Sequence, residues 1–345
     1  MSFRVWLSII TIVLIAIILF FSRHELVSAW ELLGQVNLWW LSLIVPLTAL
    51  SYLCEGEMIF SYLRQKRFIR GVKPWTLARL SLEMNFVNHV LPSGGVSGIS
   101  YGNWRLGKLG VSTGKATMAQ MVRYVAGFGA TIALLVVSVV IVTLDGGINR
   151  WMIFMSSGLV FGMVSMTFAA AFLLSSPVRV QRFSRYVTTA VNRIIRRVTF
   201  GRVKWVLMHK TVHDFFGEMH DDYLALSKDK KLLIGSFLWG LGFTVIAVSQ
   251  FFVVFQSLGV TVNPASILIG YSVASIAGFA VVTPGGVGAY EAAMVLVLGA
   301  GGTPHGVAIA GVVLVRILIM VVTIALGYVF YQLTLIKYGK RKLTA

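Results

Sequence analysis

The chain has 345 residues, 57% hydrophobic and only 12% charged, with a mean hydropathy of +0.83, whereas soluble domains carry roughly 25% charged residues. A soluble fold is therefore excluded, and unbroken apolar runs approaching 20 residues exclude the alternating strands of an outer-membrane barrel. Its formal net charge of +18 flanks apolar runs, which is the positive-inside pattern of a membrane protein and not the footprint of a nucleic-acid partner. The expected fold class is an all-α polytopic membrane protein. A single cysteine, Cys54, excludes an internal disulfide framework and a cysteine-based zinc site.

In chain order, the first apolar run, 5–21 behind Arg4, reads as a retained span because it exceeds the usual length of a signal-peptide core, the alternative being cleavage after residues 27–29. A second run covers 38–54, and residues 64–73 then carry five Lys or Arg. Region 75–104 holds the interrupted stretch "LPSGGVSG", and apolar runs follow at 116–143 and 151–174. Residues 177–231 carry twelve basic residues against five acids. The beginning of that segment interleaves Arg with apolar residues, as an amphipathic helix on the inner leaflet does, so 177–210 is expected to meet anionic lipids. After an apolar run at 232–257 comes a second interrupted region, 265–300, with "VTPGGVGAYE", then the run 306–336 and a tail with four basic residues.

Placing the three basic segments in the cytoplasm, with both termini, fixes the parity of the rest. Region 75–104 must enter and leave from the cytoplasm, and region 265–300 must open outward. The arm at 96–104 would be only about 14 Å long as a helix, half a bilayer, which favours re-entrant hairpins and about six full crossings. Two units follow, 38–143 and 232–336, each reading span, broken hairpin, glycine turn, span with an arginine. Gly110 lies 16 and Arg123 29 residues after Gly94, while Gly302 lies 17 and Arg316 31 after Gly285. Opposite openings make the repeat inverted, a plan that puts a transporter's substrate where the breaks meet.

At such a break, Pro92 and Pro284 stop the helix, while Gly94-Gly95 and Gly285-Gly286 let an anion approach freed backbone N–H groups. Arg123 and Arg316 sit inside apolar spans, where each costs about 2.5 to 3.5 kcal/mol unless compensated. Glu83 and Glu291 are the expected partners, either as fixed ion pairs or as carboxylates that yield the arginines to a phosphate. Asn85 and Asn88 share a helix face beside His89 and Ser93, and Tyr290 flanks Glu291. His209, His213 and His220 lack the spacing of a metal hydrolase and read as a helix surface. No metal or cofactor is expected, and without a Walker, nucleophile-elbow or dinucleotide motif neither is an enzyme.

The stretches "NHVLPSGGVSG", "LGVSTGKATMAQMVRY" and "TPGGVGAYEAAMVLVLGAGGTPHGVAIAGVVLVRIL" resemble the lysylphosphatidylglycerol synthase transmembrane, or flippase-like, family over nearly the whole chain. Its more specific motif maps onto Pro284, Gly285, Gly286, Gly288, Glu291 and Arg316. The resemblance implies a cell-membrane module that moves a lipid between leaflets, in some members an aminoacylated one. The soluble transferase domain of full-length synthases is not among these residues, so synthesis is not carried over. The expectation is thus a phospholipid carrier, alone, as a homo-oligomer or beside a lipid-synthesis enzyme. A small-anion transporter remains an alternative, as does a membrane enzyme using Glu83, His89 and Glu291 as acid-base groups.

Overall fold

A computed structural model describes residues 36–91, 96–144, 150–198, 208–280 and 288–338. The first apolar run, 5–21, lies outside the described residues. Helices account for nearly everything described: α1 (Leu38–Ser42), α2 (Ile44–Gln65), α3 (Pro74–Val90), α4 (Val96–Gly107), α5 (Thr113–Leu144), α6 (Arg150–Leu174), α7 (Pro177–Val198), α8 (His209–Lys228), a 3₁₀ turn (Lys230–Leu233), α9 (Ile234–Ser257), α10 (Pro264–Ala280), α11 (Ala289–Ala300) and α12 (His305–Tyr338). Among the described residues, five stretches are long and apolar enough to cross a membrane: Leu38–Gln65, Thr113–Ser138, Ser156–Leu174, Lys230–Ser257 and His305–Tyr338. The protein is an all-α polytopic membrane protein, and each of these stretches coincides with a run read from the sequence.

The two interrupted regions form matched helical hairpins. Their first arms, α3 and α10, both have 17 residues and both begin with proline, while the second arms, α4 and α11, both have 12. Proline suits a helix start because it lacks the N–H that would go unpaired there. The long helices that follow, α5 and α12, have 32 and 34 residues, and the turn before each uses a glycine at φ +89°, Gly110 and Gly302. Only glycine takes that left-handed backbone without strain.

α2 and α9 are packed antiparallel. Ser236, at the start of α9, donates to the Met58 carbonyl (2.7 Å), Gln250 donates to Thr48 Oγ1 (3.0 Å), and the Asn37 N–H donates to the Ser257 carbonyl (2.9 Å). One hairpin follows the Gln65 end of this pair and the other follows the Ser257 end, so they hang from opposite ends of it. Each then packs against the other unit, α3 on α12 and α10 on α5. At the first of these crossings Phe86 meets Tyr328 and Tyr331, with ring centroids 5.9 and 5.3 Å apart. Two large apolar clusters result, one of Ile59, Leu63, Leu80 and Leu106 around the first hairpin, the other of Phe255, Ile267, Met294 and Val312 around the second.

Within the basic segment 177–231, the described residues form α7 and α8. The apolar face of α7 is turned to α8: Val180 is buried, and Phe183 meets Phe216 edge-on at 5.2 Å. That leaves Arg182, Arg185, Arg193, Arg196 and Arg197 exposed on the opposite face. α8 ties the layer to the bundle, since His220 Nδ1 meets the Leu174 carbonyl that ends α6 (2.6 Å) and Glu218 accepts from the Ser112 hydroxyl before α5. His213 is exposed beside Asp214, and no group of three metal-ligating side chains occurs among the described residues.

Candidate functional site

Both breaks themselves, with Pro92, Ser93, Gly94, Gly95, Pro284, Gly285 and Gly286, lie outside the described residues. Their flanks are described. At the first, Asn88 Oδ1 accepts the Gly98 N–H (3.3 Å) and Ser97 donates to the Val87 carbonyl (3.3 Å), which draws the second arm onto the first. Asn85 donates back to the Ser81 carbonyl (3.1 Å), and His89 Nδ1–H meets the Asn85 carbonyl (2.9 Å). Ser81, Asn85 and Asn88 lie at helical spacing on one face of α3, and with Glu55, Gly56, Gly98 and Arg123 they line a cleft.

Arg123 faces that cleft from α5, paired with Glu55 on α2 and stacked on Tyr124 with its guanidinium carbon 4.5 Å from the ring centre. This corrects the expected pairing with Glu83. Position 83 is about 200° around the helix from position 81, so Glu83 points away from the cleft. Its carboxylate is fully buried, accepting from Thr334 (2.6 Å) and Tyr101 (3.0 Å), with Arg105 at 3.4 Å and Arg79 at 3.9 Å. Arg105, a buried cation that the sequence reading did not single out, also lies 4.5 Å from the Tyr338 ring centre. Glu83 and Arg105 thus pin the first hairpin to α12 and stand apart from the site.

At the second break the expected pair forms. Arg316 Nε donates to Glu291 Oε1 (2.8 Å), and the same carboxylate accepts the Gly288 N–H through Oε2 (2.6 Å). Gly288 has φ +93° and caps α11, so Glu291 sits where a helix N-terminus favours negative charge. The Arg316 guanidinium covers the Tyr290 ring at 4.3 Å.

The two units meet between these pairs. Tyr52 on α2, His89 on α3 and Tyr271 on α10 each lie within electrostatic reach of both Glu55 and Arg316. The Tyr52 and His89 rings are 6.4 Å apart, and the Tyr52 hydroxyl meets Thr323 of α12. Arg123 and Glu55 are 13% and 19% exposed, Arg316 and Glu291 21% and 17%. The pairs are therefore sheltered yet not sealed. Glu55, Tyr52 and Tyr271 were not singled out from sequence. The signal for Glu55 was present as a carboxylate just past an apolar run, beside a glycine.

A helical hairpin followed by a span that carries a paired arginine, present twice, defines a class: a polytopic helical membrane protein with charged groups inside its bundle. The chain belongs to the family described as the lysylphosphatidylglycerol synthase TM region, whose model matches residues 5–327. This makes it a membrane protein linked to lipid synthesis or transport. No curated protein and no solved structure matches the chain.

Proposed function

We propose that the protein is a lipid carrier of the cell membrane that moves an anionic phospholipid between leaflets, and that it is not an enzyme. The observation that carries this reading is that each unit holds a partly exposed arginine–carboxylate pair inside the bundle, Arg123–Glu55 and Arg316–Glu291. A guanidinium offers a lipid phosphate two parallel donors, and its intramembrane carboxylate keeps it charged and in place until the phosphate arrives. The helix starts at Val96 and Ala289 add backbone donors. In this reading 38–143 and 232–336 are inverted repeat units, the first hairpin re-entering from the cytoplasm and the second from outside, and alternate opening hands the headgroup across.

Both termini are cytoplasmic in this topology. The exposed arginines of α7 then face the inner leaflet and hold anionic lipid by charge alone, because the apolar face of α7 is already used against α8. A second copy of the chain or a lipid-synthesis enzyme is a further partner of this reading.

The test is transport by purified protein in liposomes carrying fluorescent lipids of different headgroup, scored by quencher access, with Arg316→Ala alongside. Anionic lipid moves with the wild type and is retained in its starting leaflet with the folded variant. Equal movement by the two proteins would overturn the site, and no movement of any lipid by folded wild type would overturn the function.

A further inference from the structure

The two carboxylates are not equally able to lose their arginine. If a phosphate takes Arg316, Glu291 still accepts the Gly288 N–H at 2.6 Å and still lies at the start of α11, where backbone donors and the helix dipole stabilise an anion. Glu55 has no such second support. Among the described residues its sole hydrogen-bonding or ion-pairing partner is Arg123, and it lies mid-helix in α2, where backbone N–H groups are already used.

The elements packed around Glu55 supply no free replacement for Arg123 among the described residues. α5 supplies Arg123 itself; α3 supplies His89, whose Nδ1 is engaged by the Asn85 carbonyl; α12 supplies Arg316, engaged by Glu291; α10 supplies Tyr271, and α2 itself Tyr52. α1 and α9 contain no charged residue, and the lysines of the 3₁₀ turn are exposed at the far end of α2. An anionic headgroup on Arg123 would therefore leave a partly buried carboxylate and a phosphate sharing one guanidinium, with no uncommitted cation among the described residues to offset the second charge. Two anions that share one cation in a partly dry cleft disfavour each other's charge, and a second cation relieves that cost.

We infer that Glu55 is a cation site linked to Arg123: as the headgroup takes the arginine, Glu55 binds a monovalent cation, a proton or a sodium ion, and lipid and cation cross together. This rests on the lipid-carrier reading above. The electroneutral complex avoids carrying net charge through the bilayer, and a cation gradient supplies direction without ATP. The proton arm requires only that the proton lost from one side of the membrane ride on the Glu55 oxygen freed by Arg123 and leave on the other.

The experiment uses the full chain in phosphatidylcholine liposomes with fluorescent phosphatidylglycerol as probe and the potential clamped at zero by potassium and valinomycin. A pH gradient without sodium, or a sodium gradient at equal pH, is imposed on wild type and on Glu55→Gln. At one-to-one coupling a tenfold cation gradient gives about a tenfold shift in the leaflet distribution of the probe. In Glu55→Gln the ratio of distributions with and without gradient falls to one, whatever its remaining rate. A wild type that moves the probe but ignores both gradients would overturn the inference, as would an unchanged response in the variant. A wild type that moves no probe would overturn the carrier reading itself. Should the variant not fold, wild type in unbuffered detergent decides: binding of dioctanoyl phosphatidylglycerol takes up a proton, or sodium, in proportion to lipid bound, and binding with neither refutes the inference.

Discussion

At the scale of single residues, the same ionisable types do two different jobs, and the surroundings tell them apart. Arg123 and Arg316 each pair with a carboxylate and stay partly exposed. Glu83 has four polar neighbours and no exposure, so nothing displaces it without dismantling the packing around it. Replacing Glu83 by Ala leaves Arg105, 4% exposed, as an uncompensated buried cation, a change that destabilises by about 3 to 5 kcal/mol. The expected outcome is a markedly lower melting temperature in detergent, with the few molecules that fold still binding anionic lipid. A variant as stable as wild type would show that the Glu83 cluster does not pin the hairpin. The pairing Arg316–Glu291 was legible in the sequence because both residues belong to one short unit. Arg123–Glu55 was not, since the partners are 68 residues apart and only the packing of α2 on α5 brings them together.

At the scale of elements, helix breaks were the most legible feature and helix contacts the least. Glycine and proline interrupt a helix by local chemistry alone, so the hairpins and the turns at Gly110 and Gly302 could be placed from sequence. Where a glycine instead permits two helices to touch, the sequence says nothing of the partner. Gly327 is such a case: a Cβ there would lie 2.4 Å from Phe86 Cβ and 3.1 Å from the Leu82 carbonyl oxygen, and a backbone atom does not move aside cheaply. Gly327→Ala is expected to push α3 off α12 and to cost about 1 to 3 kcal/mol, as overpacking does. Gly158 of α6 has open space around it, so Gly158→Ala is expected to be neutral or slightly stabilising through helix propensity. Thermal unfolding of the two variants in one detergent checks the contrast, and equal melting points would mean that the α3–α12 contact is not tight. The amphipathic character of α7 was likewise legible, but which surface its apolar face covers was not, because lipid and α8 present the same chemistry to it.

At the scale of the whole molecule, the two hairpins are matched in helix length and unmatched in charge. The tenth residues of the two hairpins' arms are Glu83 and Arg105 in the first but Val273 and Leu298 in the second. At this level the first hairpin is therefore held by a buried ion cluster and the second by apolar packing, the second hairpin's ion pair, Glu291–Arg316, lying at the start of α11 instead. Whether they open to opposite sides of a bilayer is a question of topology that antiparallel α2 and α9 make sharp, since the hairpins follow opposite ends of that pair. Single cysteines in a Cys54→Ser background answer it. Gly110 and Gly302 are poor positions because a side chain at φ +89° is strained, whereas Lys108 and His305 are exposed at the same turns. In sealed, inside-out membrane vesicles, a membrane-impermeant maleimide is expected to label Lys108→Cys at once and His305→Cys only after the vesicles are opened. Labelling of both without opening would put the two turns on one face, and a single-sided arrangement would remove the inverted topology on which alternate opening depends.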